Sequence, residues 1–366
     1  MKKGFWKKLL LGQAGKKFSA WQIELTSRCP LRCRMCNKDE YKNYPARDMS
    51  LDQFQKLLPY LRDVESVVLE GWGESLLHKN LIECIRLAKK EGPRVGFVTS
   101  GQGLNEAYIA ELIQARTDFI GFSLAGATPK THNSIRINSD LQDLLRHIQI
   151  FQEIKARNRR THPRLHIVCL LLKENILETP SLIRLAKDLG VGEVVLINLI
   201  HVTNAWQEEQ KVFAGESVEG FARILKEAEA KAREWKINLR RPSLSFGEVA
   251  VCAENPLSNL YLSTEGDVSP CVYLNPPLPS PYKRIFQGTE FQVEKVQFGN
   301  LFRQSLEQVW NEEGYVEFRN AWEQRKKRVQ DLAASLLTRD SIRKSERDLL
   351  PNAPSPCQTC YKRLGV

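Results

Sequence analysis

Cys29, Cys33 and Cys36 stand in the run R-C-P-L-R-C-R-M-C, directly after the apolar stretch from Trp21 to Leu25. Three thiolates on one short loop can each hold one iron of a [4Fe–4S] cube, which leaves the fourth iron without a protein ligand. An open position on a redox metal is where a small molecule can bind and react, whereas a closed four-ligand site suits structure or electron transfer. A structural zinc knuckle is the alternative use of the same thiols. Zinc ribbons, however, favour paired C-x-x-C units and a fourth ligand nearby.

A second set of thiols lies near the other end. Cys252, Gly266 and Cys271 fall in one stretch, and Cys357 and Cys360 form C-x-x-C close to the C-terminus. Four thiolates from two separated segments can ligate every iron of a [4Fe–4S] cube, or one zinc ion. The remaining cysteines, Cys84 in LIECIRLA and Cys169 in LHIVCLLL, sit in apolar runs and read as core.

The chain has 366 residues, nine cysteines, 42% hydrophobic and 27% charged residues, and a net charge of +11. That is the composition of a globular protein with a large core rather than of a disordered or membrane-spanning one. Many cysteines without an export signal point to thiolate chemistry in a reducing compartment, and so to the cytoplasm. The start, MKKGFWKKLLLGQAGKKF, lacks the apolar length and cleavage pattern of a signal peptide. It reads as a basic amphipathic extension over 1–20, with peripheral membrane contact through Phe5 and Trp6 as the sharper alternative. Basic residues are spread along the whole chain and no nucleic-acid-binding module stands out, so a nucleic-acid substrate is disfavoured.

These thiols need elements to hold them. WQIEL, SVVLEG, RVGFVTS, DFIGFSLAG, LHIVCLLL and EVVLINL are six strand candidates, each but the last followed by a helical pattern. Alternation of this kind predicts a parallel sheet wrapped by helices: an α/β fold in the form of a partial (β/α)6 barrel, with chemistry at the C-terminal ends of the strands. The reading divides the chain into a barrel over 21–205, a helical bridge over 206–244 and a smaller α+β domain over 245–366. The charged stretch over 321–350 reads as a solvated helix.

Together these features resemble the radical S-adenosylmethionine (SAM) superfamily. The C-x-x-x-C-x-x-C loop is its signature, and the resemblance implies that SAM chelates the open iron. Met35 matches a side chain packing near the adenine of SAM. Gly71, Gly73 and Glu74 in GWGES resemble the family's GGEP motif, with Ser75 in place of proline; the resemblance implies that Glu74 pairs with the SAM ammonium. Thr99 with Ser100 and Gly101 resembles the family's TNG-like end of the third strand, a SAM-binding position. Ser123 and Arg136 resemble positions that bind the ribose or carboxylate of SAM, and Asn175 one near the nucleoside. The C-terminal cysteines, with FGNLFRQSLEQVWN, are similar to the SPASM and twitch auxiliary-cluster domains, which implies an auxiliary [4Fe–4S] cluster held by Cys252, Cys271, Cys357 and Cys360.

The resemblance implies reductive cleavage of SAM to a 5′-deoxyadenosyl radical that abstracts a substrate hydrogen, with the auxiliary cluster relaying an electron. It further implies a one-electron donor such as flavodoxin or ferredoxin, and most directly a maturase acting on a peptide or protein. Oxidation of a small molecule, such as a sugar, aminocyclitol or cofactor precursor, is the enzymatic alternative. An iron–sulfur or zinc scaffold is the non-enzymatic one. His201, Asp267 and Tyr273 lie in suitable loops, but the sequence assigns no substrate base.

Overall fold

Six strands run parallel in sequence order: β1 (Phe18–Ile23), β2 (Val64–Val68), β3 (Arg94–Thr99), β4 (Phe119–Leu124), β5 (Arg164–Leu171) and β6 (Glu193–Asn198). The computed structural model describes residues 16–366 apart from 42, 214, 216 and 339–349. Most of the basic extension therefore lies outside the described residues. Each strand alternates a face packed on helices with a face toward the barrel lumen. In β1, Trp21 and Ile23 are buried on one face while Ala20 and Gln22 on the other are only half-buried; Phe18, on the same face as Ala20 and Gln22, is buried at the start of the strand. In β5, Leu165, Ile167, Cys169 and Leu171 are buried in the same way.

The helices between strands are α1 (Leu81–Lys90), α2 (Glu106–Gln114), α3 (Pro129–Ile135), α4 (Leu141–Arg157) and α5 (Thr179–Asp188). Their apolar residues recur at helical spacing, as with Leu81, Ile82, Ile85 and Ala88 of α1, and this stripe is what seals the outer face of the sheet. Side chains at the N-termini mark where the helices begin: Asn105 accepts from the Tyr108 amide and Asp140 from the Asp143 amide. Cys84 and Cys169 are both buried in the core, as their apolar runs imply.

The sheet does not stop at six strands. Beyond β6 and the long helix α6 (Val218–Glu234), β7 (Asn238–Arg240) pairs parallel with β6. On the other edge β8 (Asn259–Leu262) pairs parallel with β1, and β9 (Val268–Ser269) pairs antiparallel with β8. Segments read as bridge and as C-terminal domain thus build the same sheet as the barrel. A separate hairpin, β10 (Tyr282–Phe286) with β11 (Thr289–Val293), continues the C-terminal part.

Two boundaries differ from the sequence reading. The first strand begins at Phe18, because its ring packs edge-on against Trp21 and Trp310 at 5.4 and 4.8 Å. The charged stretch forms a helix as far as it is described, α7 (Glu313–Thr338), with 339–349 outside the described residues, but this helix is not solvated all round. Trp322 and Arg325 are buried, and Arg325 donates to Glu248 Oε2 and the Val249 carbonyl, both at 2.9 Å. Both terminal nitrogens of this buried guanidinium meet acceptors, Nη1 at the Pro351 carbonyl, while its Nε has no partner among the described residues.

Candidate iron–sulfur and SAM site

The loop after β1 carries Cys29, Cys33 and Cys36, and other elements fix its course. Cys33 pairs with Arg136 in a two-residue antiparallel ladder, and the Arg34 amide donates to the Ile135 carbonyl at 3.0 Å. Further on, Arg28 holds Asp48 at 2.7 Å and donates to the Leu77 carbonyl at 2.6 Å, while Lys38 donates back to the Ser27 carbonyl. Cys33 is buried; Cys29 and Cys36 are half-buried. Burial raises all three thiols, Cys36 to about 12, and the neighbouring Cys33 adds to that rise. Three thiols so placed cannot ionise together in a low-dielectric loop unless a cationic centre compensates them, which is what iron supplies.

The glycine loop after β2 is shaped by this neighbour. A Cβ on Gly73 would lie 1.9 Å from the Thr26 carbonyl oxygen, and one on Gly71 would lie 2.5 Å from Glu24 Cγ. The missing side chains thus permit close approach to the cysteine-bearing loop, an approach within the protein itself. Glu24, buried at the end of β1, accepts from the Trp72 amide at 2.7 Å, and burial raises its carboxyl.

Glu74 is buried and already held. Its Oε1 accepts from Thr99 Oγ1 at 2.6 Å and the Leu76 amide at 3.2 Å. Its Oε2 accepts from the Ser100 amide and hydroxyl at 2.8 and 2.6 Å. Glu74 and Thr99 are therefore brought together, across the ends of β2 and β3. Asn175 is also committed: it accepts from the Leu172 amide at 2.8 Å and donates to the Ala125 and Leu170 carbonyls at 3.1 and 2.9 Å. Two residues keep free capacity. The Ser123 hydroxyl, half-buried on β4, has no hydrogen bond among the described residues. Arg136 reaches Cys33 Sγ with Nη1 at 3.8 Å, while its buried Nε has no partner. Met35 is half-buried and packed against the core.

At the other end, Cys252, Cys271, Cys357 and Cys360 line one gap, together with Glu254, Tyr273, Leu274, Trp322, Lys362 and Arg363. Gly266 makes the β8–β9 turn in the left-handed region at φ +86°, with its Cα 's missing side chain leaving room for the Phe302 ring. Burial raises Cys252 to about 12 and drives Cys271 and Cys357 well above the usual thiol range, with neighbouring thiols adding to each. Among the described residues no three or more His, Cys, Asp or Glu side chains are gathered tightly enough for one metal ion. Four thiols lining one gap can each take one iron of a polynuclear centre.

Comparison with known proteins agrees with this geometry. A family model described as the radical SAM superfamily matches residues 23–186, and one described as an iron–sulfur cluster-binding domain (SPASM) matches residues 252–361. The chain belongs to the radical SAM superfamily, with a C-terminal SPASM domain. As a radical SAM enzyme it takes a [4Fe–4S] cluster, SAM and an auxiliary iron–sulfur cluster. It is 28% identical over 303 residues to a tungsten-containing aldehyde ferredoxin oxidoreductase cofactor-modifying protein of Pyrococcus furiosus, covering 81% of this chain and 82% of that one. It is also 28% identical over 220 residues to a PqqA peptide cyclase of Ruegeria pomeroyi, where the match spans 58% of this chain and 56% of the relative. The fold resembles that of SuiB of Streptococcus suis, solved with SAM, at a TM-score of 0.60 and 14% identity over 83% of this chain and 68% of the other.

The residues of this radical SAM enzyme fit the groups the family carries. Three thiols on one loop match a cluster with one open iron, and the unpartnered Arg136 Nε beside them is a waiting donor for an anionic group such as a carboxylate. The sequence reading did not single out Glu24, because a lone glutamate at a strand end carries no motif. Its signal was positional: it follows β1, and the next residues form the cysteine loop.

No helix of the described residues is long and apolar enough to cross a membrane.

Proposed function

We propose that this protein is a cytoplasmic maturase that modifies a peptide or protein by radical chemistry. The functional division is a SAM-binding barrel over 21–205, a bridge over 206–244 and an auxiliary-cluster unit over 245–366. The observation that carries this reading is the presence of two unlike thiol sets, three on one loop after β1 and four around a single gap. When bound, the first cluster and SAM together supply a 5′-deoxyadenosyl radical able to abstract a hydrogen atom, and the second supplies an electron acceptor.

The chain's own residues bind, orient and exclude water. Cys29, Cys33 and Cys36 would hold the first cluster, and Cys252, Cys271, Cys357 and Cys360 the second. Arg136 would take the SAM carboxylate with its free Nε, and Ser123 would offer a hydroxyl to the ribose. Met35 would pack on the adenine. Gly71 and Gly73 let the glycine loop lie against the cysteine loop. Glu74 would position SAM indirectly, by locking Thr99 and Ser100, and Asn175 by tying the loops after β4 and β5. A flavodoxin or ferredoxin would deliver the electron.

The peptide reading draws support from the PqqA peptide cyclase relative. The Pyrococcus furiosus relative, named for modifying a cofactor, favours a second reading in which the substrate is a cofactor-class small molecule. The test is anaerobic reconstitution with iron and sulfide, followed by dithionite and SAM. Roughly eight iron per chain and formation of 5′-deoxyadenosine are expected. Zinc in the C-terminal set with only about four iron would remove the electron-relay role.

A further inference from the structure

The barrel lumen contains a carboxylate that neither thiol set nor the glycine loop engages. Glu70 follows β2 and, with Ala20 and Gln22 of β1 and Val68 of β2, lines a cavity of about 170 Å³. The opposite wall is formed by β8, with Leu260 and Tyr261, and by Glu254 and Cys271. Glu70 thus shares one cavity with a cysteine of the auxiliary set. Glu70 itself follows the C-terminal end of β2, where (β/α) folds place their chemistry, and the cavity extends from it to Ala20 of β1 and Asn259 at the start of β8.

Its bonding leaves it available. Gln22 Nε2, at 3.2 Å, is its side-chain donor, and that partner is neutral. Burial, with the acidic neighbours Glu254 and Glu74, raises its carboxyl to about 7, against the Val98 backbone and the Gln22 amide, which favour the ionised form. The other titratable groups differ. Glu254 is held by Lys362 at 3.0 Å, Glu74 is held by Thr99 and Ser100, and Tyr261 is raised far above neutrality.

We propose that Glu70 is the catalytic residue that accepts the proton when a substrate seated in this cavity is oxidised. The proposal rests on the radical oxidation read above. Dehydrogenation of an H–C–X–H unit, with X oxygen, nitrogen or sulfur, breaks the C–H and X–H bonds and forms C=X. One hydrogen atom leaves to the 5′-deoxyadenosyl radical and one electron to an oxidised iron–sulfur cluster. The remaining proton passes from X to the Glu70 carboxylate, which becomes a neutral carboxylic acid. A residue poised near neutrality suits this role, since it is largely ionised before the step and can lose the proton afterwards.

The experiment compares the reconstituted holoenzyme with Glu70→Gln and Glu70→Asp, each checked for iron content and SAM binding. Two readouts need no substrate. A small diazoacetamide, which esterifies protonated carboxyls, is the first probe, located by peptide mass spectrometry. Labelling of Glu70 should fall about tenfold between pH 6 and pH 8 and be absent from Glu70→Gln. The second is the auxiliary-cluster potential from a redox titration followed by electron paramagnetic resonance. It should drop as pH rises through about 7, because ionised Glu70 disfavours the added electron. That slope should vanish in Glu70→Gln and return in Glu70→Asp. Identical pH slopes in wild type and Glu70→Gln, or no labelling at Glu70 at either pH, would overturn the proposal. Absence of 5′-deoxyadenosine from wild type would instead overturn the radical SAM activity, and it is read separately from both probes.

Discussion

The two thiol sets differ in where their spare bonding capacity lies. Beside Cys29, Cys33 and Cys36, the cation Arg136 has a buried Nε with no partner. Beside Cys252, Cys271, Cys357 and Cys360, the cations are used up: Lys362 is paired with Glu254 at 3.0 Å, and Arg284 donates to the Pro356 carbonyl at 2.8 Å and to the Tyr282 hydroxyl at 2.7 Å. An unsatisfied buried donor is costly. Among the described residues the donor left over at the first region is a cationic guanidinium, whereas at the second it is the neutral Trp322 Nε1.

The largest effect that would break this comparison comes from the thiols. Replacing Cys29, Cys33 and Cys36 by alanine should abolish 5′-deoxyadenosine formation yet keep about four iron per chain. Replacing Cys357 and Cys360 should likewise remove about four iron but spare SAM cleavage, as measured by chromatography and iron assay. Persisting cleavage in the first variant would mean that the open site lies elsewhere.

Next comes Gly73→Ala. Its Cβ would meet the Thr26 carbonyl oxygen at 1.9 Å and the Arg28 carbonyl oxygen at 2.9 Å, both backbone atoms. Such overpacking costs about 1–3 kcal/mol or more, so thermal unfolding should move several degrees down and iron loading of the first set should weaken. An unchanged melting curve would show that the two loops can part freely.

Arg136→Ala sharpens the comparison at the ligand. A charge-assisted hydrogen bond contributes about 1.5–3 kcal/mol, which corresponds to a SAM affinity roughly 10- to 100-fold weaker by calorimetry. Lys362→Ala should leave SAM affinity alone. Equal effects from both would erase the distinction between the regions.

The smallest effect expected on SAM is that of Asn175→Ala. Because its amide holds Ala125, Leu170 and Leu172, stability should fall by about 1–3 kcal/mol in urea unfolding, while SAM affinity changes little in the part that folds. A large loss of affinity with unchanged stability would make Asn175 a direct nucleoside contact.

Much of the barrel was legible because its signals are local. Runs such as LHIVCLLL and RVGFVTS carry β-rich composition over a whole strand, and the six strands lie where these runs predict. Strands β7 and β8 were not legible. Asn238–Arg240 and Asn259–Leu262 are short and carry asparagine, and they become strands only because β6 and β1 offer them free edges. Trp322 and Arg325 were hidden for a related reason: a charge-rich run conceals which helical face finds a neighbour.

The sequence by itself determined the number, order and spacing of the thiols, and with them the expected split into an open and a closed iron–sulfur site, because three contiguous ligands and four distributed ones differ in covalent connectivity alone. Only the tertiary structure decided what the surrounding side chains do. Glu74 spends its lone pairs on Thr99 and Ser100, Gly73 makes room for Thr26, and Arg136 is left with a donor to give. Glu70 faces a lumen shared with Cys271. A polar group's role depends on which partners burial brings within hydrogen-bonding reach, and those partners come from strands far apart in the chain.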